Sequence, residues 1–238
     1  MKTSYGLLLI MLLLMLAQSP TLAQVGIKGG IFSSDITFIT KGQTPYLGYE
    51  ISTLEHKVPR ITYQIGLFTY IPMSERLFLQ PELLYISQGL NYSTKYLYDD
   101  IQYKIRINYV QLPLLFKYIN KRDKKLQTGF MFGPYGAIKT DAKTIRKYND
   151  QKNTQTLKQV HDTDWGIILS LLLEMNHDKD KINFELRTTY SLFNMMDRIE
   201  GYIPMADGPK RAYARNVSLG IHLAYCFTSQ SGQQKSIT

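Results

Sequence analysis

From residue 25 to residue 227 the chain is dominated by segments in which apolar side chains recur at every second position. That is the period of an extended strand with two unlike faces. In VGIKGGIF (25–32), Val25, Ile27 and Ile31 share one face and Gly26, Lys28 and Gly30 the other. In ITYQIGLFTYI (61–71), Ile61, Tyr63, Ile65, Leu67 and Ile71 oppose Thr62, Gln64, Gly66, Phe68 and Tyr70. A short turn, Pro72 to Arg76, leads into LFLQPELLYISQG (77–89). There Leu77, Leu79, Leu83 and Tyr85 oppose Phe78, Gln80, Glu82, Leu84, Ile86 and Gln88. These two segments read as a hairpin.

The next segment changes phase. In IQYKIRIN (101–108) the apolar positions are odd: Ile101, Tyr103, Ile105 and Ile107. In YVQLPLLFKYI (109–119) they are even: Val110, Leu112, Leu114, Phe116 and Tyr118, against Gln111 and Lys117. A one-residue slip moves every side chain to the other face. The flip predicts a bulge near Asn108–Tyr109, or two pieces with different neighbours. The polar turn Asn120–Lys125 follows, then LQTGFMFGPYGAI (126–138), a long polar loop from Lys139 to about Thr163, and DWGIILSLLLEM (164–175). INFELRTTYSLF (182–193) turns Ile182, Phe184, Leu186, Tyr190 and Leu192 one way and Asn183, Glu185, Arg187, Thr189 and Ser191 the other. NVSLGIHLAYCF (216–227) closes the series, with Asn216, Ser218, Gly220, His222, Ala224 and Cys226 on its less apolar side.

Counting 101–119 as one strand gives eight, most near the ~9–11 residues that cross a bilayer. Connections after the second, fourth and sixth strands are short, and those after the first, third, fifth and seventh are longer. An up-and-down barrel in an outer membrane has this asymmetry, with short periplasmic turns and long external loops. The fold class expected is therefore all-β: a single antiparallel eight-stranded transmembrane barrel with its N-terminus in the periplasm. Pro81, Pro113 and Pro134 fall inside strands of a sheet without free edges, and predict local bulges or missing ladder bonds.

The first 23 residues change the picture of the compartment. Lys2 precedes an apolar run from Leu7 to Ala17, and Thr21-Leu22-Ala23 offers small residues before a cut at Gln24. That pattern reads as a cleaved secretory signal peptide. The domains expected are the signal at 1–23, the barrel at 24–227 and a polar tail at 228–238. Cys226 is the only cysteine, so no internal disulfide can form, and it reads as a plain small residue. The formal charge of +9 fits anionic headgroups, polyanions or a merely soluble surface.

Five segments occur in an order that resembles a known family: FLQPELLYISQG (78–89), NYVQLPLLFKY (108–118), GPYGAI (133–138), INFELRTTYSL (182–192) and LGIHLAYCF (219–227). The chain is similar over residues 25–227 to PorT-like outer-membrane β-barrel proteins of Gram-negative bacteria, also labelled "porin family". QPELLY and QLPLLFKY are the most specific pieces. The resemblance implies a small barrel in the outer membrane and little about activity. One departure is that eleven residues follow Phe227, where such barrels commonly stop at the last aromatic residue.

The polar faces supply the candidate chemistry. If they turn inward, the lumen holds Lys28, Gln80, Glu82, Gln111, Lys117, Glu174, Glu185, Arg187 and His222. An eight-stranded barrel is only wide enough for side chains to fill, and buried charges must pair. Glu82, Glu174 and Glu185 against Lys28, Lys117 and Arg187 give matching counts, so a structural ion-pair core is expected, with Glu82 meeting Lys28, Lys117 or Arg187. His222, with Ser218 four residues before it and Glu174 or Glu185 as orienting acid, is the one arrangement of a nucleophilic triad on offer. No catalytic, cofactor or metal site is expected, and His56, His161 and His177 are placed in loops or a turn. The segment 139–159 carries Lys139, Lys143, Arg146, Lys147, Lys152 and Lys158, with Lys210, Arg211 and Arg215 in the last loop. These cations are candidates for lipopolysaccharide phosphates or a surface ligand. The partners expected are outer-membrane lipid and an envelope complex, with no nucleic acid. A non-enzymatic role in envelope integrity, adhesion or a complex is the leading reading. A soluble carrier of an apolar ligand would instead turn Ile182, Phe184 and Leu186 into a cavity, and a lipid-modifying enzyme is the third class.

Overall fold

The computed structural model describes residues 24–40, 56–96, 99–120, 125–148, 151–158, 160–177, 180–195 and 212–227. The expected signal peptide, the polar tail, Lys210 and Arg211 lie outside these residues. No described residue is helical. Among the described residues nine strands form: β1 Gln24–Thr40, β2 His56–Pro72, β3 Leu77–Tyr96, β4 Asp99–Ile119, β5 Leu126–Tyr148, β6 Gln151–Thr156, β7 Thr163–His177, β8 Asp180–Ser191 and β9 Ala212–Phe227. Eight of them pair in the cyclic order β4-β3-β2-β1-β9-β8-β7-β5, and β4 pairs with β5 to close the ring. Every pairing is antiparallel. The result is a closed eight-stranded barrel, which satisfies backbone groups without leaving an edge. Both described ends of the chain, Gln24 and Phe227, lie at one rim, beside the turn between β2 and β3.

The wall alternates as the pattern requires. Ile27, Ile31, Ile61, Ile65, Leu67, Leu169, Leu171, Leu186, Leu219, Ile221 and Leu223 all point outward and are exposed, Ile61 by 71% and Leu171 by 65%. Phe184 and Leu186 belong to this outer surface, so the face a soluble carrier would wrap around a ligand is on the outside. Outward aromatic positions ring both margins of the apolar band: Tyr63, Tyr85, Trp165 and Tyr190 at one, Tyr118, Phe130, Tyr225 and Phe227 at the other. On β7 the band runs from Trp165 to Met175, the length of a bilayer crossing.

Beyond the band, at the rim opposite the termini, the strands continue, and here the expected loops are corrected. The segment 139–163 is not one long loop, because β5 runs on to Tyr148 and turns back as β6. The connection after β3 is not long either, since β3 reaches Tyr96 and β4 starts at Asp99. Polar side chains hid these strands, because upper β5 turns only Ala142 and Thr144 inward before Arg146 and β6 is QKNTQT, so neither shows an apolar face. His56 likewise begins β2 rather than sitting in a loop.

The phase change on β4 has a different cause from the one expected. Odd residues point inward along the whole of β4: Ile101, Ile105, Ile107, Tyr109, Gln111, Leu115, Lys117 and Ile119 are all buried. The strand does not roll over; its surroundings invert. Below Asn108 the outside is apolar and the inside carries charge. Above it the outside is Gln102, Lys104 and Arg106 and the inside is Ile101, Ile105 and Ile107. A register shift does sit at Asn108/Tyr109, but the extra residue is Thr140 on β5, between the partners Lys139 and Asp141.

The prolines interrupt pairing without shifting it. Pairing of β3 to β4 lapses between Pro81↔Leu114 and Leu84↔Gln111, opposite Pro113. β4 to β5 lapses between Pro113↔Tyr135 and Phe116↔Phe132, opposite Pro134. β2 to β3 lapses between Phe68↔Glu82 and Ile71↔Leu79, opposite Pro81. The register is the same on both sides of each gap, so these are missing bonds and not bulges. A second shift lies between Pro59 and Gln64. Gly89 sits opposite it at φ 146°, where a Cβ would lie 2.0 Å from the Ile105 carbonyl oxygen. Only glycine adopts that backbone so close to a neighbouring strand.

Candidate functional site

Two regions carry the charged chemistry, the lumen and the sheet beyond the far rim. In the lumen, alternation delivers Lys28 from β1, Glu82 from β3, and Glu185 and Arg187 from β8 to one point, all buried. Lys28 Nζ donates to Glu82 Oε1 at 2.7 Å and to Glu185 Oε2 at 2.6 Å. The Arg187 guanidinium grips Glu82 through both terminal nitrogens, at 2.8 and 2.9 Å, and donates from Nε to Glu185 Oε1 at 2.5 Å. Gln80 Nε2 adds a bond to Glu82 Oε1 at 2.5 Å. Two carboxylates and two cations thus balance within one network, and the guanidinium fork meets Glu82 in the bidentate geometry that suits it.

Lys117 joins a separate group. It bonds Glu174, whose other oxygen lies 3.1 Å from Lys181. Lys181 was absent from the sequence-derived set because it stands at the start of β8, beside the turn. Lys117 Nζ also lies 3.8 Å from the centre of the Tyr70 ring. Phe68, Tyr70, Phe78, Ile119, Ala224 and Cys226 pack together here and fill the barrel at the termini rim. Cys226 is buried and free.

His222 meets Gln64, with Nε2 and Oε1 3.2 Å apart, and its Nδ1 has no hydrogen-bond partner. Neither Ser218 nor an orienting carboxylate is bonded to the ring, so the triad geometry is not assembled. Among the described residues no group of three or more His, Cys, Asp or Glu could hold a metal ion.

A third polar cluster was not singled out from the sequence. Asp164 accepts from Ser191 Oγ at 2.5 Å, from Tyr135 Oη at 3.2 Å and from Asn216 Nδ2 at 3.2 Å. It ties β7 to β8, β5 and β9 with neutral donors only. The signal was available: Asp164, Ser191 and Asn216 all fall on inward positions near strand ends. What could not be read was that three separate strand ends meet.

Above this point most of the buried lumen is apolar, with Ser34 and Gln88 as polar exceptions. Phe32, Ile36, Ile86, Leu90, Ile105, Ile107, Tyr109, Tyr135 and Ala142 form one buried cluster with Val160, Met195 and Ala214. Val160 and Met195 come from the segments before β7 and after β8, which continue the wall between β5 and β9. Their backbones are tied down by His161 N–H to Met195 O and Met195 N–H to Ala214 O, each 2.9 Å. The interior is therefore filled at the termini rim, through the charged middle, and at the far rim.

The cations expected to form one anion-binding loop are divided by the far sheet. Lys139 is largely spent inside, bonding the Val160 carbonyl and pairing with Asp162 at 3.0 Å. Arg146 lies over Tyr103 and Tyr148, at 5.9 and 6.0 Å from the ring centres, and Tyr103 stacks on Tyr92. That places Arg146 on the inner side. Lys143 and Lys147 share the outer side of β5 with Arg106 and Lys104 of β4, whose partners are Lys143 and Ile145. Lys152 is opposite Lys147 on β6 and is exposed, as is Lys158 in the turn after it. Arg215 bonds Tyr190 Oη at 2.9 Å.

The family model for the outer membrane protein beta-barrel domain matches residues 16–197, which take in β1 to β8. No curated protein sequence matches the chain. Among solved structures the barrel is similar to the outer membrane protein OprG from Pseudomonas aeruginosa, at 12% identity over 88% of this chain and 98% of that one, with a TM-score of 0.45. It is similar to Neisserial surface protein A at 7% identity over 86% and 97%, with a TM-score of 0.39. It is also similar to Ail, the attachment invasion locus protein of Yersinia pestis, at 9% identity over 87% and 100%, with a TM-score of 0.34. At these scores none of the three carries an argument about activity.

Proposed function

The chain belongs to the outer membrane protein beta-barrel domain family, and from that premise we propose that it is a non-enzymatic, non-conducting barrel that anchors an external β-sheet platform in the outer membrane. In this reading residues 1–23 are removed as a signal peptide, the termini rim faces the periplasm and the far sheet stands outside the cell. The platform serves envelope integrity, adhesion or an envelope complex. QPELLY and QLPLLFKY favour the PorT-like group within the wider family.

One observation carries the reading: the lumen is filled along its length by packed rings, a paired ionic network and a buried apolar cluster at the far end. A conductive pore needs a continuous aqueous path, and eight strands leave room only for side chains. The ionic residues act here as structure, since their charges are spent on each other. Purified protein reconstituted in planar bilayers should give no stable channel. Reproducible single-channel steps would overturn the proposal, as would release of the protein from membranes by high salt without detergent. For the enzymatic class, deletion of the protein should leave the lipid profile unchanged. A lipid product lost on deletion and on His222→Ala would reinstate catalysis.

A further inference from the structure

The outer face of the far sheet has an arrangement that secondary structure alone does not favour. Arg106 on β4 is directly opposite Lys143 on β5, and Lys147 on β5 is directly opposite Lys152 on β6. Like charges facing each other across a ladder are destabilising. Lys104 lies on the same face of β4, two residues beyond Arg106. Against these stands Asp141, 3.0 Å from Lys143. It is the only carboxylate among the described outward side chains of β4, β5 and β6 in the far half.

Position narrows the ligand. This face continues the lipid-facing wall of β4 without a break: Leu114, Leu112, Val110, Asn108, Arg106, Lys104. Val110 is opposite Tyr85 of the aromatic margin. Arg106 is four residues past Val110, so at ~3.4 Å per residue and a strand tilt of ~40° it stands about 10 Å higher along the membrane normal. The polar layer of a bilayer begins where the hydrocarbon ends and is about 5–7 Å thick. Long cationic side chains bend back toward it. Reaching back toward it, Arg106 and Lys143 come to the height of headgroup phosphates on the side that faces them, while Lys104 and Lys152 stand further out. The inner rim cation, Arg146, is turned away onto tyrosines.

We infer that a face centred on Arg106 and Lys143 binds the phosphates of an anionic glycolipid in the outer leaflet. The inference rests on the proposed outward orientation of the far sheet. Arg106 and Lys143 are the centre of the face, because the register sets them side by side and a phosphate between them removes their repulsion. Guanidinium supplies a planar pair of donors and lysine a point charge, a combination suited to phosphate oxygens.

The test uses the full chain in detergent micelles titrated with diphosphoryl lipid A, or with the same lipid after removal of its phosphates. Arg106→Gln/Lys143→Gln should weaken binding of diphosphoryl lipid A at least about tenfold, as expected for two charge-assisted contacts. Arg146→Gln/Lys158→Gln should leave it within about twofold. The dephosphorylated lipid should bind weakly and equally to all forms. Without lipid, the double variant should melt at the same temperature or higher, because a like-charge pair is gone. Wild-type affinity in the double variant overturns the inference, as does equally tight binding of the dephosphorylated lipid. Displacement by millimolar inorganic phosphate, or by a soluble sulfated polysaccharide, overturns the assignment to a lipid. Channel activity would sink the non-conducting reading and leave this binding result untouched.

Discussion

The barrel has two halves made from the same strands with opposite rules. In the half between the aromatic margins, the outside is Ile65, Leu171 and Ile221, and the inside holds Lys28, Glu82, Glu185 and Arg187. In the half beyond the far margin, the outside is Lys104, Arg106 and Lys143, and the inside is Ile36, Leu90, Ile105 and Ile107. One strand, β4, passes through both without changing which residues face in. The solvent changes around it. Where lipid is outside, apolar side chains belong outward and the filled interior is where polar groups can satisfy one another. Where water is outside, the ordinary hydrophobic driving force returns and apolar side chains move in.

The sharpest way to break this contrast is to unbalance the ionic network. Glu82→Ala leaves Lys28 short of one carboxylate and Arg187 without its bidentate partner. A buried pair broken on one side costs about 3–5 kcal/mol, to be read from urea unfolding in lipid vesicles. The next test exchanges the rules. Leu171→Lys places a charge on the lipid side and should cost about 2–4 kcal/mol. Lys104→Ala, outward in the far half, should stay within about 0.5 kcal/mol. Equal costs would mean that both lie in the same medium. Ile105→Ala on the far inner face should cost about 2–4 kcal/mol through the cavity it leaves. Asp164→Asn keeps the shape but weakens acceptance from Ser191 and Asn216, and about 1–2 kcal/mol should be lost. The smallest effect is expected at Pro113, where alanine restores an N–H facing the ladder gap to β3. A gain or loss below about 1 kcal/mol is expected, with hydrogen exchange of that amide showing whether the gap closes.

The membrane half was legible because its alternation matches a single template. On β7, Trp165 to Met175 alternates with Asp164 to Glu174 over a full bilayer crossing, and the inward positions were all assigned by parity. The far half was misread for a physical reason. Residues 139–158 are polar at most outward positions and short of bulk inward, so no apolar face announces a strand. Its core is completed by Ile36, Leu90 and Ile105 from strands far apart in the chain. The bulge at Asn108–Tyr109 was located from a phase flip that had another origin, the change of medium. Glu82 was assigned three candidate partners by charge, and geometry chose two of them, Lys28 and Arg187.

Parity and medium are local properties, so the sequence by itself determined the strands that cross the bilayer, the faces they present and the charges that share the lumen. Partnership is not local. Which cation meets which carboxylate, that β5 and β6 turn back as a platform, and that Arg106 stands beside Lys143 all depend on the register between strands. Register is set by the closure of the whole ring, with Thr140 inserted on β5 and pairing suspended at Pro81, Pro113 and Pro134. Only the tertiary structure decides it, because each strand's position is fixed by two neighbours at once.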